Sequence, residues 1–346
     1  MREGVPCIAD ICNLLDVARG SIVMTSHHAR SISIIIRSLN EEKWISEAIE
    51  GCQNQNVDAK VEIILVDSGS TDRTVEIAAA KGCRIVHINK SDFTFGRSLN
   101  YGCDAAIGDV LVFISAHCIP VDGNWLARLV DPIFEGEADY VCGRQVGHQV
   151  TKFSEHQVFA QYFPDHEVTP EEQGGFVNNA NAALRRSVWA DIRFDEDVTG
   201  LEDLVLSKAL VAAGGKVAYA SGASVYHIHE ETYRQVRRRY YREALTLREI
   251  MPEVHFHFLD FVRFFSVGVL HDLSVALKER RMFQELPGIF NFRMMQYWGT
   301  YRGHNEHRVL SRAQKESYYY PRPKKRHTDE VSERRSAAPE VARPAK

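Results

Sequence analysis

The segment SISIIIRS, residues 31–38, constrains the fold more than any other stretch. It holds four isoleucines in eight residues, three of them consecutive. Such a run describes a strand covered on both faces, as in a parallel sheet flanked by helices. The next segment, NEEKWISEAIEGCQNQ (40–55), places Trp44, Ile45, Ala48, Ile49 and Cys52 on one helical face. Asn40 reads as its N-cap, followed by acids in the first turn. VEIILVDSGS (61–70) is a second buried strand, TDRTVEIAAAKG (71–82) a second helix closed by Gly82, and CRIVHIN (83–89) a third strand. This alternation predicts an α/β, doubly wound, mostly parallel sheet flanked by helices. Right-handed crossovers bring the strand ends, Arg37–Asn40 and Asp67–Ser70, to one sheet edge. In open parallel sheets, ligands bind at that carboxyl edge.

The pattern continues with a helix over 98–108 stopped by Gly108 and a strand over 109–117 with a polar end. A helix over 125–136 and a strand over 138–147 follow, then mixed loop and helix over 148–175. Strand-then-helix character returns at 177–192, a helix at 200–215 ends on two glycines, and two short strands fill 216–229. From Tyr233 the character changes to a basic helix, then an aromatic-rich helix over 256–281 and a third over 287–302. Four parts are expected: an N-terminal extension (1–30), the sheet domain (31–230), a helical region (231–320) and a disordered tail (321–346). That tail has eight Lys/Arg against four Asp/Glu and almost no apolar bulk.

Composition narrows the classes. A chain that is 45% hydrophobic and 25% charged can bury a core and is not disordered throughout. With 42 basic against 46 acidic residues, a net charge of −4 gives no support to nonspecific nucleic-acid binding. No run of 18 apolar residues suggests a transmembrane helix. The seven cysteines are irregularly spaced, with no C-x-x-C pair, which argues against a disulfide framework or a four-cysteine zinc site. Scattered thiols and the lack of a secretory pattern at the N-terminus point to the cytoplasm.

Several residues carry chemistry in one reading and structure in another. Asp67 closes a buried strand, either as an acceptor for a base or ribose hydroxyl or as a cap for the following turn. Glu202 and Asp203 open an apolar helix, as dipole complements or as a general base and its neighbour. His227 and His229, two apart on an expected strand, share a face and can chelate a metal or decorate a surface. Arg97 and Asn100, near a helix start, fit a phosphate site or an ordinary first turn. The RRR run at 237–239 is most simply a solvated helix face. No G-x-G-x-x-G follows the first strand, which disfavours a dinucleotide fold.

Taken together, IIIRSLNEEKWISEAI, EIILVDSGSTDRTVEIA, FTFGRSLNYGCDAAIGDVLVFISA, GRQ, NNANAALRRSVW and GLEDLVLSKAL resemble the family 2 glycosyltransferases, from about Ser31 to His229. The likeness is strongest to bacterial rhamnosyltransferase-like members, through Gly143-Arg144-Gln145 and the F-x-x-G-x-x-x-N segment at 93–100. It implies a glycosyltransferase A-type fold and an inverting transferase that moves a sugar from a UDP- or dTDP-linked donor. The acceptor it implies is a hydroxyl of a glycan or lipid-linked molecule, in surface polysaccharide synthesis. Arg37, Asn40, Glu42, Asp67, Ser68, Arg97, Asn100, Ser115 and Ala116 would line the donor site. Asp203 would be the base, with Glu202 shaping the acceptor site or holding a helix N–H.

One departure matters. Where the family carries an Asp-x-Asp-like metal element, this chain reads Ser115-Ala116-His117. If His117 holds the divalent ion, Mn2+ or Mg2+, then His227 and His229 are the candidates for further ligands, and imidazole suits hard Mg2+ less well than Mn2+. Otherwise Arg97 and other cations would stabilise the leaving diphosphate. Two alternatives stand beside the transferase. A sugar-phosphate nucleotidyltransferase would need an early glycine-rich loop, which residues 31–45 lack. A degenerate protein that binds nucleotide sugar or a partner without catalysis has the Ser-Ala-His element in its favour and the Glu-Asp pair against it. In the C-terminal region, Phe256, Phe258, Phe261, Phe264 and Phe265 with Arg263 offer a peripheral membrane contact. The preferred reading is that these helices pack back on the catalytic part or form a dimer seam, because the aromatics are too closely spaced for one clean stripe.

Overall fold

The structure, a computed structural model, describes residues 30–306. The expected extension before Arg30 and the tail over 321–346 lie outside the described residues. Eight strands form one sheet, β1 (Ser31–Ser38), β2 (Lys60–Asp67), β3 (Arg84–His87), β4 (Val110–Ser115), β5 (Cys118–Pro120), β6 (Tyr140–Gly147), β7 (Asn181–Arg185) and β8 (Val217–His227). Their order is β3-β2-β1-β4-β7-β6-β8-β5. β1 lies between β2 and β4 with both pairings parallel, while β7 runs antiparallel to its neighbours β4 and β6. The isoleucine run explains the central position of β1, where Ile32, Ile34, Ile35 and Ile36 are all buried.

Helices cover both faces: α1 (Ile45–Gln53), α2 (Thr74–Ala80), α3 (Phe95–Ala105), α4 (Trp125–Phe134), α5 (Phe153–Tyr162), α6 (Pro170–Gln173), α7 (Arg186–Asp191) and α8 (Glu202–Ala212). One apolar layer joins Ile34 and Ile36 to Ile49, Trp125 and Leu129, and the other joins Ile35 and Phe113 to Leu99, Phe194 and Leu206. Three longer helices follow, α9 (Tyr233–Ile250), α10 (Phe258–Lys278) and α11 (Met282–His304).

Three details differ from the sequence reading. The first helix starts at Ile45, because Asn40 takes φ +57 and belongs to the loop before it. The 216–229 segment forms one strand of 11 residues, with a register irregularity opposite Gly143 and Gln145 in place of a break. The last helix begins at Met282 and carries Pro287 in its second turn. That position lies past the unpaired N–H groups of the first turn, so the Phe283 carbonyl loses the intrahelical donor it would otherwise have.

Candidate active site

The carboxyl ends of β1, β2 and β4 lie side by side, with Ser38 in register with Asp67 and Arg37 with Ser115. The buried Asp67 carboxylate accepts the N–H groups of Gly69 at 3.0 Å and Ser70 at 3.1 Å. Gly69 sits at φ +93, which admits this turn. The Ser68 hydroxyl donates to the Ser38 carbonyl and closes the two strand ends together. The Asn40 side-chain oxygen accepts the Thr71 N–H, and the Glu42 carboxylate accepts the Arg73 N–H. These two residues therefore lock the first loop onto the second. Ser115 ends β4 half-buried, and Ala116 is buried in the core.

Arg97 and Asn100 do not join this edge. The buried Asn100 amide donates to the Phe194 carbonyl and Glu196, and its oxygen accepts the Trp189 indole N–H and the Phe194 N–H. Arg97 pairs with Glu196 at 2.6 Å and donates to the Asp92 carbonyl. Gly96 has the same partner segment, since a Cβ there would lie 1.9 Å from the Asp195 carbonyl oxygen. The F-x-x-G-x-x-x-N segment is thus a clamp on residues 194–196. Asn100→Ala is expected to destabilise the fold by about 1–3 kcal/mol, through partners left unsatisfied in the interior. Nucleotide affinity of the folded variant should be unchanged, and a titration beside a denaturation curve checks both.

Glu202 and Asp203 stand at the start of α8, after Leu201 at φ +56. A leucine in the left-handed region is strained and marks a sharp entry into the helix. Glu202 accepts from Arg37 at 2.8 Å, so its role here is an ion pair with β1 and not the holding of a helix N–H. Asp203 accepts the Asn179 N–H at 3.0 Å and the Leu204 N–H at 2.9 Å. Burial pushes its pKa up to about 7, helped by the neighbouring Glu202 charge and opposed by the two N–H donors. A carboxylate titrating there can accept a proton near neutrality.

His117 follows β4, His227 ends β8 and His229 lies just beyond it. The strand-face argument does not bring them together, because β8 stops at His227. The Cys118–His227 register and an Ile228 N–H bond to the His117 carbonyl do so instead. The His227 and His229 rings are 4.1 Å apart, and His117 lies 5.2 Å and 5.8 Å from them. One ligand nitrogen from each falls within 4.8 Å of the others.

The Nδ1 atoms have partners of their own. That of His117 meets Glu41 at 2.9 Å, that of His227 meets the Gln145 side-chain oxygen at 2.6 Å, and that of His229 meets Glu155 at 2.6 Å. Carboxylates only accept, and the Gln145 amide nitrogen is committed to Asn178, so each Nδ1 carries the proton. Each Nε2 is then a lone-pair donor, as a metal ligand must be. Burial, with the neighbouring imidazoles adding to it, holds His227 well below the ordinary histidine range. Burial and the Arg239 charge outweigh the Glu155 bond and lower His229. At His117 burial opposes the charge, but the Glu41 carboxylate prevails and raises the pKa.

Sequence reasoning passed over Glu41, Gln145, Glu155, Asn178 and Asn179 as site residues, although the GRQ and NNAN elements contain three of them. Gln145 orients His227, while the Asn178 side chain holds Gln145 and the Asn179 N–H holds Asp203. The two centres are therefore joined by consecutive residues. Gly143 leaves room for Asn181, whose amide nitrogen would lie 2.3 Å from a Cβ at that position. The solvated-face reading of the arginine run fails at Arg239, which turns inward to bond Glu155 and Glu231. That pairing also accounts for the Glu155, His229 and Glu231 grouping as an ion-pair network. One turn further, Arg242 stacks on Phe95 at 5.0 Å from its centroid, and its buried Nε has no partner among the described residues.

Comparison with known proteins agrees with this architecture. Residues 33–193 match the family described as Glycosyl transferase family 2. The O-antigen chain rhamnosyltransferase RfbN of Salmonella typhimurium is 30% identical over 225 residues, which cover 61% of this chain and 70% of that protein. The O-antigen chain rhamnosyltransferase WbaN of Salmonella anatum is 30% identical over 190 residues, covering 52% and 60%. Among solved structures, the mannosyltransferase PcManGT of Pyrobaculum calidifontis, in complex with GDP-Man and Mn2+, superposes with a TM-score of 0.52. It is 15% identical and covers 79% of this chain and 84% of its own, a likeness of fold. The sheet with its flanking helices is a glycosyltransferase A-type fold, and the chain belongs to glycosyl transferase family 2.

Proposed function

We propose that this protein is an inverting transferase. It moves a hexosyl or deoxyhexosyl group from a UDP- or dTDP-linked donor to a hydroxyl of a glycan or lipid-linked acceptor. Surface polysaccharide synthesis at the inner face of the plasma membrane is the setting this reading implies. The observation that carries it is Asp203, a buried carboxylate titrating near 7 that shares a sheet edge with three converging imidazoles. Asp203 takes the proton of the attacking hydroxyl, and a single in-line displacement inverts the anomeric carbon without a covalent enzyme intermediate. The Asp67 turn and the locked Asn40–Glu42 loop form the nucleoside end of the site. Glu202 and Arg37 hold each other in place beside the base.

The donor set fits a divalent cation, because each Nδ1 has a hydrogen-bond partner and no Nε2 has one among the described residues. His117, His227 and His229 would hold it, and it would draw off negative charge from the departing diphosphate. Three neutral imidazoles favour Mn2+ over Mg2+. Arg242 supplies fixed positive charge and takes the place first given to Arg97.

A donor screen with mass-spectrometric detection of released nucleotide tests the reading. UDP or dTDP should appear from a matching donor in the presence of Mn2+ and faster with acceptor. Tight binding of UDP or dTDP by calorimetry, with no release from any sugar nucleotide, would leave a binding protein in place of an enzyme.

A further inference from the structure

The Gly143-Arg144-Gln145 element leaves one residue without a task. Gly143 makes room for Asn181, and Gln145 is spent on His227 and Asn178. Arg144 is half-buried, and its Nε is sealed from solvent with no hydrogen-bond partner. Its guanidinium makes no hydrogen bond, ion pair or ring contact among the described residues. Arg242, whose Nε is in the same state, at least stacks on Phe95. An arginine keeps its charge at any working pH, and a partly buried charge with no partner is costly. Such a position points to a counter-ion that arrives with a ligand.

The strand places this charge beside the base. β6 runs parallel to β4, because β7 is antiparallel to both, so its carboxyl end opens on the same edge as Ser115. Tyr140, Cys142 and Arg144, two apart along β6, share one face. Tyr140 donates its hydroxyl to the Asn179 side-chain oxygen at 2.6 Å, and the Asn179 N–H bonds Asp203. The Cys142 thiol is pushed up to about 12 by burial, with the Asp203 charge adding to it. Arg144 stands two residues further toward the mouth, about 6–7 Å along the strand. Pairing with β7 ends at Cys142, and residues 221–224 of β8 bulge between the Gly143–Ala220 and Gln145–Val225 pairs. Arg144 is therefore paired on neither side. The bulge lies on β8, so Arg144 keeps the face of Cys142, and the Tyr219 hydroxyl, in register with Cys142, lies under its charge.

We propose that Arg144 binds the acceptor, and that the acceptor carries an anionic group, a carboxylate or a phosphate, near its attacking hydroxyl. This rests on Asp203 as the base of the transfer, since a molecule presenting a hydroxyl to Asp203 reaches it past Arg144. A guanidinium offers parallel N–H groups that suit either anion. Two acids share its surroundings at Tyr219, Asp165 and Glu167. Glu167 is held by the Ser221 N–H and hydroxyl, and neither acid forms an ion pair with Arg144. The nucleoside end of the site, at β1 and β2, begins three strands away, about 14 Å. The donor diphosphate is left to the histidine site and Arg242.

The test is calorimetric titration of the full chain with glucuronate, glucose 1-phosphate and neutral glucose. At least one of the two anions should bind more tightly than glucose, and the stronger of them names the group on the acceptor. Arg144→Gln should weaken that binding by about tenfold or more and leave glucose unchanged, while Arg144→Lys, which keeps the charge, should restore part of it. Thermal unfolding of both variants should match the parent, because the side chain has no partner to lose. UDP and dTDP affinity with Mn2+ should also stay at the parent value. The proposal fails if neither anion binds better than glucose or if folded Arg144→Gln keeps the preference. A loss of UDP and dTDP affinity in Arg144→Gln would move the residue onto the donor diphosphate and overturn it. So would a marked fall in unfolding temperature in both variants, which would make Arg144 a structural residue. These measurements read binding alone, so a donor screen without nucleotide release would sink the transferase and not the anion site.

Discussion

Asp203→Asn should lower turnover by about two to four orders of magnitude and leave donor affinity nearly unchanged, because losing a general base acts on the chemical step. The asparagine keeps the volume and one acceptor for the Asn179 N–H but cannot take a proton. The parent enzyme should show the matching pH dependence. Asp203 must be ionised to act and its pKa is pushed up to about 7, so turnover should fall about tenfold for each pH unit below that value. The same shift has a stability signature. An acid whose pKa is higher folded than unfolded adds stability that is fully present below the ordinary aspartate value, 3.8, and is lost as pH rises through about 7. The stability of the parent relative to Asp203→Asn should therefore decline between pH 4 and pH 8, with the variant flatter. Wild-type turnover in Asp203→Asn together with a dead Glu202→Gln would reverse the two roles.

How much of this was legible before the structure depends on how far apart the partners lie in the chain. β1 was plain because four isoleucines in eight residues have few other destinations. Asp203 was legible as one of an acidic pair at the start of an apolar helix. Its pKa was not, because the shift comes from burial under neighbouring elements and not from any residue spacing. The three histidines were named for a partly mistaken reason. The face shared by strand residues two apart suggested the pair, whereas a turn after β8 and its register with β5 place the rings. Their Nδ1 partners, Glu41, Gln145 and Glu155, come from a loop, a strand and a helix with no common motif, and only the fold brings them together. Arg97 and Asn100 were misread for the same reason. An arginine near a helix start resembles a phosphate site until its partner is known, and Glu196 lies 99 residues away.

His117→Ala should abolish metal-dependent turnover and weaken Mn2+ binding measured by calorimetry on the protein alone, while unfolding without metal stays close to the parent. The residue is half-buried at the end of β4 and contributes one ring to a cluster of three, so its loss opens a ligand position more than a core cavity. Mn2+ should support activity better than Mg2+, since neutral nitrogen donors suit the softer ion. Acid should release the metal in a defined order. A ligand imidazole must be neutral, and His117 is the one whose pKa is raised, through Glu41, while those of His227 and His229 are lowered. Mn2+ affinity should therefore begin to fall at a pH above the ordinary histidine value of 6.5, as His117 takes up its second proton. Glu41→Gln removes the charge that raises it and should move that onset to lower pH. Full activity in excess EDTA, with His117→Ala unimpaired, would sink the metal site. Stabilisation of the leaving diphosphate would then rest on Arg242, whose buried Nε has no partner among the described residues and whose guanidinium stands over Phe95 beside the Arg37–Glu202 pair.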